Sequence, residues 1–259
     1  MSTIISSITR QGAYEPFELQ VARNQIQGHR NVTVFGFNPD VDTTQVSVWP
    51  LPSLITFPSS ALQMTVSSTS ANDTSAGTGA RTVVVQGLDA NYNEVSETVT
   101  MNGQTAVTMT TAMLRVNYAY VATAGSGNSA AGDIYIGTGT VTSGVPATPY
   151  DIIKFDYNNT TTGSYTVPAG YTAYVSQGLF SAGQAGGSNQ VQGRLLSRGV
   201  DNIRRTAAIT SLNNGVANYV FEYPLAIPEK TTLEATAIGS SNNNACSSMF
   251  ILLLVKEGP

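Results

Sequence analysis

Short runs of alternating or β-branched residues, separated by turn formers, are the feature that most limits the fold of this chain. Residues 81–88 read Arg-Thr-Val-Val-Val-Gln-Gly-Leu, and residues 94–101 place Val95, Val99 and Met101 on one face. Turn-forming residues at 89–93 lie between these two runs. Strands that recur roughly every 8–12 residues with turns between them are typical of sandwiches and barrels. No stretch longer than two turns keeps a helical period, so we predict an all-β chain.

The prolines predict a distinct first segment. Five of the 11 fall within residues 1–60, and proline cannot donate to a sheet ladder. We predict that residues 1–60 form an extended arm with a few short strands. Such an arm buries little by itself, so we expect it to lie against its own domain or a neighbouring subunit. The first ten residues lack a basic start and a long apolar run, so we expect no secretory signal.

Two β domains are predicted after the arm. Residues 61–145 read as a β-sandwich domain, in which Asn102-Gly103 is a strong two-residue hairpin signal. Residues 141–149 contain two prolines and read as a linker between domains. Residues 150–259 repeat the strand pattern and predict a jelly-roll-like domain. Within it, residues 249–255 are continuously apolar, which favours a strand covered on both faces.

Charge is scarce, and its distribution limits the partners. Only 11% of the residues are charged, whereas about 25% is typical of soluble domains. Residues 43–72, 157–193 and 235–255 carry no charge at all. Nucleic-acid binding requires many Lys and Arg side chains, and the sequence pI near 4.9 argues against it. We therefore expect no nucleic-acid partner, and the lack of an apolar or Lys-rich amphipathic segment argues against a membrane partner.

Few residues offer catalytic or metal-binding chemistry. The chain has one histidine, His29, and one cysteine, Cys246, so neither a disulfide framework nor a histidine-based nucleophile system is favoured. Residues 89–93 resemble half of a calcium loop, but Glu94 stands where the loop needs glycine, so a hairpin turn is favoured. We predict no catalytic residue, no metal site and no cofactor.

One basic cluster is a candidate partner-binding site. Arg194, Arg198, Arg204 and Arg205 lie within twelve residues of each other, with Asp201 among them. Guanidinium groups form oriented bonds with carboxylates, so the cluster predicts a docking patch on a partner protein. Two neighbouring strands with solvated ends explain it equally well, and both interpretations stay open. Phe17 and Leu19 in the arm are further candidate partner contacts.

Several segments carry a resemblance to a known protein group. The N-terminal sequences Glu15-Pro-Phe-Glu-Leu-Gln-Val-Ala-Arg23 and Val34-Phe-Gly-Phe-Asn-Pro-Asp40 resemble virion proteins of aquatic tailed phages, as does Gln86-Gly-Leu-Asp-Ala-Asn-Tyr-Asn93. The resemblance covers residues 15–145, and more loosely the last hundred residues, which are similar to jelly-roll modules of capsid-decorating and tail proteins. It implies a virion building block and provides no catalytic residues.

The expected function is therefore structural and non-enzymatic. We expect a capsid decoration (cement) protein on the outer surface of a bacteriophage, where it bridges and stabilises subunits of the major capsid protein or contacts other virion proteins. We expect it to be a homo-oligomer, with a trimer favoured over other orders. The acidic pI favours the outside, since packaged DNA would repel it. A tail or tail-fibre component that contacts the host surface is the alternative. A tail depolymerase is the weakest of the three hypotheses, because no acid/base constellation stands out.

Overall fold

The computed structural model describes residues 15–183 and 190–258, and it confirms the all-β prediction. In these two described ranges, one short helix, α1 (Phe17–Ala22), precedes sixteen strands. The strands are β1 (His29–Val41), β2 (Val46–Ser47), β3 (Leu62–Ser68), β4 (Ala80–Leu88), β5 (Glu94–Thr100), β6 (Val107–Met113), β7 (Arg115–Ala124), β8 (Ile134–Thr142), β9 (Val145–Ile153), β10 (Ser164–Thr166), β11 (Tyr171–Gly183), β12 (Gln190–Arg198), β13 (Arg204–Asn213), β14 (Gly215–Ile227), β15 (Thr232–Gly239) and β16 (Asn244–Lys256).

Strands from both ends of the chain build one pair of sheets, here called the terminal sheet pair. Its first sheet has the order β1-β16-β11-β14, and its second has the order β10-β15-β12-β13, with β2 paired to β15. Val34 and Phe250 of the first sheet share one buried core with Leu195 and Leu233 of the second. The long strand β1 runs antiparallel to β16 from His29 to Val41. The predicted arm thus contributes a full strand to a sheet completed by the C-terminal residues.

The middle of the chain builds the central sheet pair. Its sheets have the orders β6-β3-β8-β9 and β5-β4-β7. Val66 and Ile136 of the first sheet meet Val83, Val99 and Ala119 of the second in a separate core. The predicted turn at residues 89–93 joins β4 to β5, with Leu88 opposite Glu94, as the sequence indicated.

Two predicted connections differ in the structure. Asn102-Gly103 does not close a hairpin, because β5 pairs with β4 and β6 pairs with β3 in the opposite sheet. Gly103 has a positive φ, so the chain uses the same conformational freedom to cross between sheets. Residues 141–149, predicted as a linker, form the β8–β9 hairpin, with Thr142 opposite Val145. The division of the chain into a sandwich domain at 61–145 and a jelly-roll-like domain at 150–259 stays a prediction.

The proline-rich segment at residues 46–58, here called the junction segment, connects the two sheet pairs. At its start, Ser47 of β2 is opposite Thr236 of β15 in the terminal pair. Further on, Trp49 and Ile55 form a third buried cluster with Tyr135 and Ile152 of the central pair. The segment therefore packs against both pairs, and its prolines fit because most of its backbone lies outside the sheet ladders.

Asp73 organises the loops at one end of the central pair. Its buried carboxylate accepts hydrogen bonds from the Ser68 hydroxyl (2.5 Å) and from the backbone N–H groups of Ala80 (2.6 Å), Ala131 (2.8 Å) and Gly132 (3.1 Å). These donors come from three separate parts of the chain. A buried carboxylate is tolerated when its oxygens are fully hydrogen-bonded, so Asp73 ties these loops together.

Asp151 is a second buried carboxyl, and its environment makes it sensitive to pH. Burial raises its pKa from 3.8 to about 7, although the Thr162 hydroxyl and the Ile152 N–H donate to it. A carboxyl whose pKa is raised in the folded state stabilises the fold fully below the unfolded value. That stabilisation is lost as the pH rises towards about 7.

We predict that Asp151→Asn removes this pH dependence. Between about pH 4 and pH 7 the wild-type protein should lose a few kcal/mol of unfolding free energy that the variant retains, because an amide does not ionise. Urea unfolding across this range measures the difference. The exposed Asp40→Asn serves as the control. Parallel pH profiles for wild type and Asp151→Asn would contradict the prediction.

Candidate assembly surface and arginine cluster

The predicted arginine cluster lies partly inside the molecule. Arg198, at the end of β12, is only 7% exposed, and its guanidinium lies 4.2 Å from the ring centroid of Phe57 in the junction segment. Its Nη2 is 3.8 Å from Oε2 of Glu234, which is fully buried. Burial lowers the pKa of Arg198 to about 10, and Glu234 opposes that change, so the side chain stays charged at neutral pH.

Arg204 binds the same carboxylate from the neighbouring strand. Its Nε lies 3.3 Å from Oε2 of Glu234, and its Nη2 donates to the Ile55 carbonyl at 3.4 Å. The other oxygen of Glu234 accepts from the Ser47 hydroxyl at 2.5 Å. Two arginines and one serine therefore surround one buried acid, and the junction segment supplies part of the arrangement.

A third arginine, distant in sequence from the predicted cluster, completes the arrangement. Arg115 at the start of β7 lies 4.7 Å from the centroid of Phe57, and its Nη1 donates to the Pro58 carbonyl at 3.2 Å. The clustered guanidinium groups thus hold a segment of their own chain. In the sequence no signal joins Arg115 to Arg198, because their contact depends on Phe57 lying between distant strands.

Within residues 15–183 and 190–258, Arg194 and Arg205 have only local partners. Arg194 Nε donates to Gln192 Oε1 at 2.7 Å, and Arg205 pairs with Asp201 at 2.6 Å with both side chains well exposed. Exposed ion pairs of this kind contribute little to stability. Binding of a partner by Arg194, Arg198, Arg204 and Arg205 stays a prediction, and the exposed side chain of Arg205 is better placed for it than the buried Arg198.

The arm contacts lie on α1. Phe17 is 39% exposed and Leu19 is 47% exposed, and the Phe17 ring meets His29 edge-on with centroids 6.0 Å apart. His29 Nδ1 lies 3.1 Å from the Gln27 carbonyl. His29 therefore has local structural contacts. Phe17 and Leu19 as partner contacts stay predictions.

The largest candidate surface is the outer face of the β1-β16-β11-β14 sheet. Cross-strand partners in a sheet share one face, so the strand registers define four lateral rows. We call these sixteen residues the assembly face: Phe37, Ser247, Ser181 and Val216; Phe35, Met249, Leu179 and Asn218; Thr33, Ile251, Gln177 and Val220; and Asn31, Leu253, Tyr174 and Ala226.

The assembly face is mostly apolar and carries no charge. None of its sixteen residues is buried, and none is charged. Phe35 is 52% exposed, Val216 65% and Val220 75%. Contiguous exposed apolar patches on soluble proteins mark interaction sites. The apolar run at residues 249–255 lies here, in β16: one side faces the core, and the other is half-buried within the assembly face.

The sequence signal for this face is the absence of charge. Strand β11 lies in the uncharged stretch at 157–193, and all of β16 except its last residue, Lys256, lies in the stretch at 235–255. The pattern predicts packing against other protein but not which strands are neighbours. Only the sheet order shows that β1 and β14 extend the same uncharged surface.

The cysteine and the acidic side chains give no sign of a catalytic or metal site among the described residues. Cys246 is buried, and burial raises the pKa of its thiol to about 12. Within residues 15–183 and 190–258, no three His, Cys, Asp or Glu side chains are grouped as a metal site would need. Across the same residues, no helix has the length and hydropathy to span a membrane. The absence of enzymatic activity and of cofactors stays a prediction.

We predict that Glu234→Gln destabilises the protein by about 3 kcal/mol, because it leaves Arg198 buried without an opposite charge. The free energy of unfolding from urea titration measures the loss. Glu222→Gln replaces an exposed glutamate of β14 and is the matched control. Equal unfolding free energies for the two variants would show that the buried pair does not hold the junction segment.

Comparisons with known proteins give distant structural matches. No protein-family profile and no curated protein matches the sequence. A crystal structure of an infectious bursal disease virus VP2 subviral particle aligns over 90% of this chain and 73% of its own, with 9% identity and a TM-score of 0.25. A structure of the Gx strain of the same virus aligns over 89% of this chain and 71% of its own, with 11% identity and a TM-score of 0.24. Scores this low do not establish a shared fold, so the chain is all-β without an assigned family.

Proposed function

We propose that this chain is a non-enzymatic structural protein of a virus particle and that it associates with copies of itself through the assembly face. The observation that carries the proposal is the uncharged apolar surface of four aligned strands. The resemblance of residues 15–145 to virion proteins supports the viral setting.

The lack of charge favours a second copy as the occupant of the assembly face. In a two-fold pair the same surface meets itself, so a charge near the symmetry axis would lie near its own copy. A face with no charged residue avoids that repulsion and avoids the cost of desolvating ions. Burying its apolar side chains between two copies removes them from water, which stabilises the pair.

The more specific proposal is a capsid decoration protein of a bacteriophage. In this role the chain would bridge subunits of the major capsid protein on the outer surface, where an acidic protein is not repelled by packaged DNA. Arg194, Arg205, Phe17 and Leu19 are the residues we propose for contacts with the capsid. The alternative is a tail or tail-fibre component that meets the host surface.

The copy number of the chain per particle distinguishes these two locations. We predict hundreds of copies per virion, because a decoration protein repeats across the capsid lattice. Quantitative mass spectrometry of purified virions, with the major capsid protein as internal standard, measures the ratio. A count in the range of a tail ring or a set of fibres would contradict decoration and support the tail.

Self-association is predicted to depend on the assembly face. Val220→Glu places a charge on the face and should shift the full chain from an oligomer towards a monomer in sedimentation velocity. Val200→Glu is the matched control, because Val200 is 73% exposed but lies outside the face. A wild-type monomer, or an equal effect of both variants, would contradict the proposal.

The oligomer order adds a further distinction. Face-to-face packing pairs copies and gives even-numbered assemblies, whereas the predicted trimer needs a head-to-tail contact with a different surface. A trimer that dissociates in Val220→Glu would place the assembly face against such a second surface.

A further inference from the structure

A cleft of about 760 Å³ separates the two sheet pairs. One wall is the edge strand β1, through Asn31, Thr33 and Phe35, and the other is the outer face of the β5-β4-β7 sheet, through Gln86 and Tyr118. Ligand sites of proteins are commonly clefts of roughly 300–1,000 Å³ between structural units, so the size and place of this cleft fit a binding site.

The two sheet pairs are fixed to each other beside the cleft. The Asn117 side chain donates to the Thr166 carbonyl and accepts from the Thr166 N–H, both at 2.9 Å. The Ala169 N–H donates to the Tyr92 carbonyl at 2.9 Å. These bonds join β7 and the β4–β5 turn to the chain around β10, so the cleft exists before any ligand binds.

The lining presents aromatic rings to solvent. Phe35 is 52% exposed and Tyr118 is 40% exposed, and they stand on opposite walls. The Tyr118 ring is supported by Tyr120, with centroids 5.7 Å apart and planes tilted by 31°. Exposed rings in a cleft offer flat apolar surfaces, and covering them with a ligand stabilises the complex.

The polar groups of the lining are neutral or paired. Among the described residues, the side chains of Asn31, Gln86 and Ser96 have no hydrogen-bond partner, so their amide and hydroxyl groups can serve a ligand. The two charged side chains of the cleft, Arg30 and Glu94, form an ion pair with each other. The cleft therefore has no net charge to attract an ionic ligand.

We infer that this cleft binds a neutral oligosaccharide. The apolar C–H faces of a sugar ring match Phe35 and Tyr118, and its many hydroxyl groups match the amides, the hydroxyls and the Arg30–Glu94 pair, which both donates and accepts. The β1 wall of the cleft, through Asn31, Thr33 and Phe35, also forms one margin of the assembly face, whereas Gln86 and Tyr118 belong to the central sheet pair and lie outside that face.

The test uses the full chain and immobilised neutral hexasaccharides of glucose, mannose, galactose or N-acetylglucosamine. We expect the wild-type protein to bind at least one of the four. Tyr118→Ala should weaken that binding about tenfold or more, and Gln86→Ala should weaken it several-fold. Both residues are exposed, so thermal unfolding midpoints should match wild type and separate a lost site from a lost fold.

Tyr157→Ala is the matched control, because Tyr157 is 46% exposed and lies outside the cleft. Binding to none of the four sugars overturns the inference, as expected if the open edge of β1 accepts an extended peptide instead. Equal binding by Tyr118→Ala and Tyr157→Ala overturns it as well. Sugar binding that persists in Val220→Glu keeps the cleft separate from the proposed assembly role.

Discussion

The arrangement of the two sheet pairs depends on the contacts between the buried carboxylate of Glu234 and two arginine side chains. The carboxylate accepts from Ser47 and lies against Arg198 and Arg204, and these contacts fix the start and end of the junction segment. The segment then packs Trp49 and Ile55 against Tyr135 and Ile152 of the central pair. A buried acid needs cations close to it. Here the same cations also contact Phe57 and the Ile55 carbonyl, so one charged group positions a proline-rich stretch of which only the start, in β2, belongs to a sheet.

The same scarcity of charge explains both the interior and the surface. The chain uses several of its few ionic groups inside or between the sheet pairs, at Glu234, Arg198 and the Arg30–Glu94 pair. The sixteen residues of the assembly face have only apolar, hydroxyl and amide side chains. A surface of this kind packs against protein more readily than against nucleic acid, which supports the structural role proposed above.

Local sequence patterns predicted many of the strands. They could not predict which distant strands pair with each other. The β-branched runs and the turn at residues 89–93 were sufficient to predict β4 and β5, because adjacent strands pair through local contacts. The hairpin predicted at Asn102-Gly103 was wrong, because β6 pairs with β3, which comes much earlier in the chain. The arginine cluster was visible in sequence, but its internal target was not, since Glu234 and Phe57 reach it only through sheet order. The uncharged stretches indicated a surface that packs against protein, which is the assembly face. The cleft could not be predicted, because it lies between two sheets whose contact no local sequence pattern shows.

The central claim is that the assembly face meets a second copy of the chain. Pulsed dipolar spectroscopy on the full chain carrying Asn218→Cys and a spin label tests this directly, because Asn218 lies on the face and the native Cys246 is buried. If two assembly faces meet, labels on neighbouring copies give a defined distance, and the distance signal vanishes on dilution with unlabelled protein. A signal of isolated labels at concentrations where the protein is oligomeric would contradict this claim, and would place the contact between copies on another surface.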